Sequence, residues 1–224
     1  MKKAIYIIFG ILVIADILFE FFKIGVPHFL VKNFIPFFLI MILTYYRELK
    51  FTKSDYWVIL SYILLLAGLN LGYYFFKEKY YLPLVMVVYF LEIQLQIKVL
   101  KNYSNVILSS FKQDFLKLLI ILTLGLFIIV LIFPELSFIN QALLFATILQ
   151  HAFFISIVFQ NKRFSKEISI SLWLLILSDL YSLGHLLFFR NPFDYALTMV
   201  PVYFSKFFFL IGYLKLKKLI TNEK

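Results

Sequence analysis

The sequence predicts an all-α fold, a polytopic membrane helix bundle with about eight transmembrane helices and both termini on the cytoplasmic side. Three observations predict it. The chain is 63% hydrophobic and 21% aromatic, with only 15% charged residues and a mean hydropathy of +0.94, which is more apolar surface than a water-soluble core of 224 residues can hide. Apolar runs of about 20 residues, the length that crosses a bilayer as a helix, recur along the whole chain. Lysine and arginine collect in alternate connections between those runs.

The first span, Ala4 to Phe22, follows Lys2 and Lys3 and imitates a secretory signal. Asp16 and Glu20 interrupt the region where a small-residue cleavage site would follow, so it is expected to stay in place as the first helix. The second, Phe29 to Tyr46, carries Lys32 and Pro36 near its start. The third and fourth run from Tyr56 to Phe76 and from Tyr81 to Leu100. The fifth and sixth cover Leu116 to Phe133 and Phe138 to Phe159. The seventh and eighth cover Ile168 to Phe189 and Tyr195 to Leu214. Tyr45, Tyr46, Tyr56, Tyr73, Tyr74, Tyr80 and Tyr81 gather at span ends, as interfacial anchors do. No connection is long enough for a soluble domain, so residues 1–224 are expected to form a single transmembrane domain. The chain shows neither a repeat of about 20 to 50 residues nor a convincing inverted pair of broken helices, which disfavours a typical secondary transporter.

Eight spans put both termini on one side, and the charges test that count independently. That side holds 16 of the 22 basic residues and the other only Lys23, Lys32, Lys77, Lys79 and Arg190, with Lys206 inside a span. Because cytoplasmic loops retain Lys and Arg during insertion, the bias predicts an N-in/C-in topology, and the expected location is a bacterial inner membrane. The net charge of +10 is therefore a topology signal, aided by anionic lipid heads, and no basic segment is long enough to track a nucleic-acid backbone. The chain has no cysteine, which excludes disulfides, thiolate nucleophiles and cysteine zinc sites. His151 and His185 lie on different spans without ligand spacing, so neither a metal nor another cofactor is expected.

The informative residues are the polar ones inside the spans, since an ionised group at a helix centre costs about 3 kcal/mol to insert unless it finds a partner, water or a proton. In the seventh span Ser178, Ser182 and His185 share one stripe, with Asp179 about 100° around the helix from Ser178. In the first span Asp16 and Glu20 are i, i+4 neighbours, which repel unless one is protonated or a cation sits between them. With the N-terminus inside, Asp16, Glu20, Lys32, Asn70, Asp179, His185, Tyr203 and Lys206 all fall between the midplane and the outer leaflet, which predicts a polar pocket opening outward. Gln94, Gln96, Gln150 and His151, and Asn70 as an alternative to the pocket, are expected simply to bond neighbouring helices.

The segment LSDLYSL, followed by NPF and then TMVPVYFSKFFFLIG, resembles the carboxyl-terminal part of the YhhN, or lysoplasmalogenase-like, family of eight-span membrane proteins. VKNFIPFFL is similar to that family's Lys-Pro start of the second helix, with Lys32 kept and the proline displaced to Pro36. The resemblance implies a membrane hydrolase that cleaves the vinyl ether of a lysoplasmalogen or related lipid to an aldehyde and a glycerophospho head group. Such a bond suits acid chemistry, because protonating the vinyl carbon gives an oxocarbenium ion that water captures. By the same resemblance Asp179 matches the family's aspartate on the seventh helix, with Glu92 or Asp16 as its acid/base partner. Lys32, Asn70, Ser182, His185, Tyr203 and Lys206 are then expected to bind the lysophospholipid. The chain departs from the family on the third helix, where Leu69 and Asn70 follow Gly68 and the family's aspartate is missing, and on the fourth, where Glu92 stands for a histidine. An amide cannot donate a proton as a carboxyl group does, which makes this a divergent member. The alternative is a non-catalytic membrane protein that binds a lipid, a small apolar ligand or a membrane partner.

Overall fold

The computed structural model describes residues 2–74, 81–103, 137–160, 164–187 and 193–222. Among them the secondary structure is entirely helical: α1 (Lys2–Phe21), α2 (Gly25–Arg47), α3 (Lys53–Tyr74), α4 (Tyr81–Lys101), α5 (Phe138–Gln160), α6 (Lys166–Leu187) and α7 (Asp194–Asn222). All of these helices except α6 contain a stretch long and apolar enough to cross a membrane, six in total, and the chain is accordingly an integral membrane protein. The expected fifth span lies outside the described residues; α5, α6 and α7 are the expected sixth, seventh and eighth. The described residues fall into two compact units, residues 1–51 with 165–224, and residues 52–164.

The first unit contains α1, α2, α6 and α7, and besides an apolar interior it carries large apolar side chains on its outer face. On α1, Phe9, Val13 and Asp16 form a buried stripe at i, i+4, i+7, whereas Ile7, Ile11, Ile14 and Leu18 are among the most exposed side chains. Apolar groups thus face outward, as lipid requires, while a carboxylate faces in. Helix α1 ends where Lys23 adopts a left-handed φ of 55°. The Ile24 N–H donates to the Phe19 carbonyl and the Lys23 N–H to that of Glu20, the paired bonds of a Schellman cap. Only Phe22, Lys23 and Ile24 separate α1 from α2, so the chain reverses at once and residues 25–32 return alongside residues 16–20.

Helices α6 and α7 make the closest pair. Ser178 Oγ donates to the Thr198 carbonyl at 3.0 Å, Ser171 and Ser205 hydroxyls meet at 3.3 Å, and Gly212 lies against Ser165 and Ile168. These pairs step in opposite directions along the two helices, which makes them antiparallel. Small residues at each crossing let the backbones approach, the main source of packing energy where lipid is as apolar as the core. Helix α7 also packs on α1, with Phe207 stacked on Phe9 at 4.3 Å, and its Tyr213 ring lies beneath the Arg47 guanidinium at the end of α2. Tyr6, Arg47 and Lys215 line one cleft, so the basic ends of α1, α2 and α7 lie together at one end of this unit.

The second unit contains α3, α4 and α5. Thr52 and Asp55 form a capping box at the start of α3, the Asp55 carboxylate accepting from the Thr52 N–H at 2.7 Å and from its hydroxyl at 2.6 Å. Asn102 to Ser54 at 3.2 Å, Lys98 over the Trp57 ring at 3.8 Å and Val88 against Gly68 set α3 and α4 antiparallel. Gln150 on α5 donates to the Phe90 carbonyl of α4 at 2.7 Å.

Candidate functional site

Three helices of the first unit converge on Asp16, whose side chain is fully enclosed. Helix α7 supplies two hydroxyls: Tyr195 donates to Oδ2 of Asp16 at 2.7 Å and Tyr203 to the same oxygen at 3.2 Å. Helix α2 supplies His28 in its first turn, brought there by the short Schellman reversal. Its Nδ1 lies 3.1 Å from Oε2 of Glu20, and its Nε2 lies 3.1 Å from the Tyr195 hydroxyl and 3.3 Å from Oδ1 of Asp16. That Oδ1 receives no hydrogen bond among the described residues, so the 3.3 Å approach is a charge contact and the directed bond of Nε2 is to Tyr195.

The proton inventory follows from donor counting. A tyrosine has one hydroxyl proton, and Tyr195 gives it to Asp16. With Asp16 ionised, Nε2 of His28 carries the proton that it shares with Tyr195, and Nδ1 stands within ion-pair range of Glu20. The ring thus stands between the two carboxyl groups. The repulsion expected of Asp16 and Glu20 at i, i+4 is relieved by an imidazole held against both, with Lys32, half-buried on the next turn of α2, acting electrostatically on the pair. At the outer edge, Glu20 Oε1 meets the Lys23 ammonium at 2.6 Å.

Glu20 also opens onto a cleft of about 420 Å³ between the end of α1 and the start of α7. Lys23, Asp194, Tyr195, Phe21 and Phe193 contribute to its wall. The two phenylalanine rings stack at 5.9 Å, and Asp194 accepts from Tyr181 of α6 at 2.5 Å. The site thus combines an enclosed carboxylate, a partly exposed one and an imidazole between them, beside a cleft with apolar and charged walls.

The predicted residues divide. Asp16, Lys32 and Tyr203 belong to this cluster. Asp179 and Ser182 are half-buried on α6, while Lys206 is fully buried on α7, one turn beyond Tyr203. His185 occupies the last turn of α6, and its side chain lies outside the described residues. Glu92 and Asn70 belong to the second unit: buried Glu92 accepts from Gln96 at 3.1 Å, and Asn70 donates back to the Leu66 carbonyl at 2.9 Å. The residues not foreseen in a functional role are His28 and Tyr195. Among the described residues no group of three or more His, Cys, Asp or Glu side chains is placed to hold a metal ion. No family model matches the chain, and neither a curated protein nor a solved structure matches it.

Proposed function

We propose that the protein is a divergent YhhN-like membrane hydrolase, with eight spans and both termini in the cytoplasm of a bacterium, that performs acid–base chemistry on the vinyl ether of a lysoplasmalogen or related lipid. The observation that carries this reading is the position of Glu20, which opens on the cleft and also lies 3.1 Å from the His28 ring. In this reading Glu20 is the general acid. Its O–H breaks as the vinyl carbon gains the proton, water adds to the resulting oxocarbenium carbon and loses a proton to the His28–Asp16 pair, and the hemiacetal collapses to an aldehyde as its hydroxyl proton passes to the leaving glycerophospho oxygen. Asp16 and His28 hold Glu20 in place and return its proton. Lys23, also on the cleft wall, suits a phosphate, and Phe21 and Phe193 suit the start of an acyl chain. Asp179, the residue that resembles the family's aspartate, is the second candidate in the mechanism.

The test is aldehyde release from lysoplasmalogen by protein purified in nanodiscs, with Glu20→Gln, Asp16→Asn and Asp179→Asn in parallel. The expected result is turnover by the wild type and a loss of about 100-fold or more in Glu20→Gln, the usual contribution of a general acid. Wild-type protein that releases no aldehyde overturns the hydrolase. The complete enclosure of Asp16 favours a second reading, a site that holds a lipid without turning it over. That reading expects saturable lysolipid binding by the wild type with no product.

A further inference from the structure

Asp16 is enclosed, yet it is joined to the cleft through two hydrogen bonds and one ion-pair contact in series. From the cleft inward these are Glu20 Oε2 to His28 Nδ1 at 3.1 Å, His28 Nε2 to the Tyr195 hydroxyl at 3.1 Å, and that hydroxyl to Asp16 Oδ2 at 2.7 Å. Each contact is within or close to hydrogen-bonding distance, and each intermediate group can both donate and accept. We propose that Glu20, His28 and Tyr195 form a proton relay through which the enclosed Asp16 exchanges protons with the water of the outer cleft. The relay rests on these contacts alone and is independent of any lipid substrate.

The transfer balances without a charged intermediate. A proton from cleft water occupies Glu20. Its O–H bond breaks as Nδ1–H forms on His28, Nε2–H breaks as a new O–H forms on Tyr195, and the original Tyr195 O–H breaks as Asp16 Oδ2–H forms. One proton has left Glu20 and one has arrived on Asp16. The imidazole has changed tautomer, and the phenol is intact. The reverse sequence returns the proton, which is all that exchange requires. Nε2 also approaches Oδ1 of Asp16 at 3.3 Å, a longer contact than the 3.1 Å and 2.7 Å hydrogen bonds through Tyr195, which make the tyrosine the shorter route.

The charged and titratable groups around the ring define its setting. Helix α1 presents Asp16 and Glu20, α7 presents Tyr195, with Tyr203 on Asp16, and α2 itself adds Lys32; Lys23 of the turn is paired with Glu20. Tyr203 is the comparison residue: it donates to the same Asp16 oxygen as Tyr195 and interacts with the Tyr195 hydroxyl, but no described bond links it to His28.

The experiment is a pH jump on the full-length protein in nanodiscs, followed by time-resolved infrared difference spectroscopy of the carboxyl bands, with the Asp16 band assigned by its loss in Asp16→Asn. Tyr195→Phe and His28→Gln are expected to slow Asp16 protonation by about an order of magnitude or more, a barrier increase of about 1.4 kcal/mol or above. Glu20→Gln, a change at a partly exposed side chain that threatens folding least, is expected to do the same. Tyr203→Phe is expected to track the wild type. Wild-type rates in Tyr195→Phe or Glu20→Gln, or equal slowing in Tyr203→Phe, would overturn the relay. Because no lipid is present, an inactive hydrolase and a failed relay give separate answers.

Discussion

Glu20 and His28 face each other across a turn of three residues, Oε2 to Nδ1 at 3.1 Å, and the far side of the same ring contacts Asp16. The imidazole is thus the partner that allows two carboxyl groups to sit one helical turn apart in a membrane helix. Truncating it leaves the enclosed Asp16 and its neighbour Glu20 without the group between them. His28→Ala is expected to cost about 1–3 kcal/mol of folding free energy, what leaving a buried polar group without its partner costs. Asp16→Asn in the same background should recover part of it. Both are read from equilibrium unfolding in mixed detergent micelles, and a purely additive double variant would contradict the coupling.

The two tyrosines on Asp16 should differ. Tyr195 makes the shorter bond and also receives Nε2 of His28, whereas Tyr203 contributes one longer contact. Tyr195→Phe leaves two buried polar groups short of a partner and is expected to cost about 2 kcal/mol, against about 1 kcal/mol for Tyr203→Phe. Equal losses in the same unfolding assay would mean that the hydroxyls are interchangeable.

Gly212 marks the closest approach of α7 to α6. A Cβ there would stand 2.5 Å from Cγ1 of Ile168, 2.9 Å from the Ser165 hydroxyl and 3.0 Å from the Ile168 backbone nitrogen. The side chains can move aside, but the backbone must shift. Gly212→Ala is expected to destabilise by about 1–3 kcal/mol, and adding Ile168→Ala should restore only part of that. Full restoration would place the whole clash in the isoleucine side chain.

At the start of α6, Glu167 pairs with Lys215 of α7. Burial pushes its carboxyl upward, but hydrogen bonds from Lys215, its own backbone N–H and Ser165, together with the Lys215 charge, outweigh that and hold it below the usual carboxylate range. A depressed folded value means that the contribution is present above the unfolded value, near 4.5, and is lost as pH falls through the folded one. Lys215 is half exposed, so the pair is worth only about 0.2–1 kcal/mol. The stability difference between wild type and Glu167→Gln should therefore shrink as pH is lowered below about 4.5. A difference that is flat across that window would remove the ion pair from the balance.

The sequence showed that Asp16 and Glu20 needed a cation or a proton between them, but not which residue would supply it. His28 precedes Phe29, where hydropathy opens the second span, and so read as part of a connection. The structure starts α2 at Gly25, because the Schellman cap on Lys23 and Ile24 leaves no room for a longer loop. Tyr195 was equally hidden, as an aromatic at a span end where tyrosines ordinarily anchor to the interface. Tyr203 was legible because it lies well inside an apolar run, where a polar group needs a reason, and Lys32 because it interrupts the start of one. The inward face of α6 was legible at Ser178, which the i, i+4, i+7 stripe with Ser182 and His185 had placed inside and which is buried against α7. Asn70 and Glu92 obey the same rule of bonded polar groups, each with a described bond within its own helix. Periodicity gives the face of a helix, whereas the choice of partner across a turn depends on a cap that hydropathy does not see.

The three-residue reversal after α1 also bears on how the chain enters the membrane. Asp16, Glu20, His28 and Lys32 occupy a single helical hairpin near the N-terminus, so the acidic residues have their basic partners as soon as that hairpin leaves the ribosome and inserts. The tyrosines of the last helix join long afterwards. Lengthening the turn by a few flexible residues would therefore impair insertion of the first two helices, before the last helix has been synthesised.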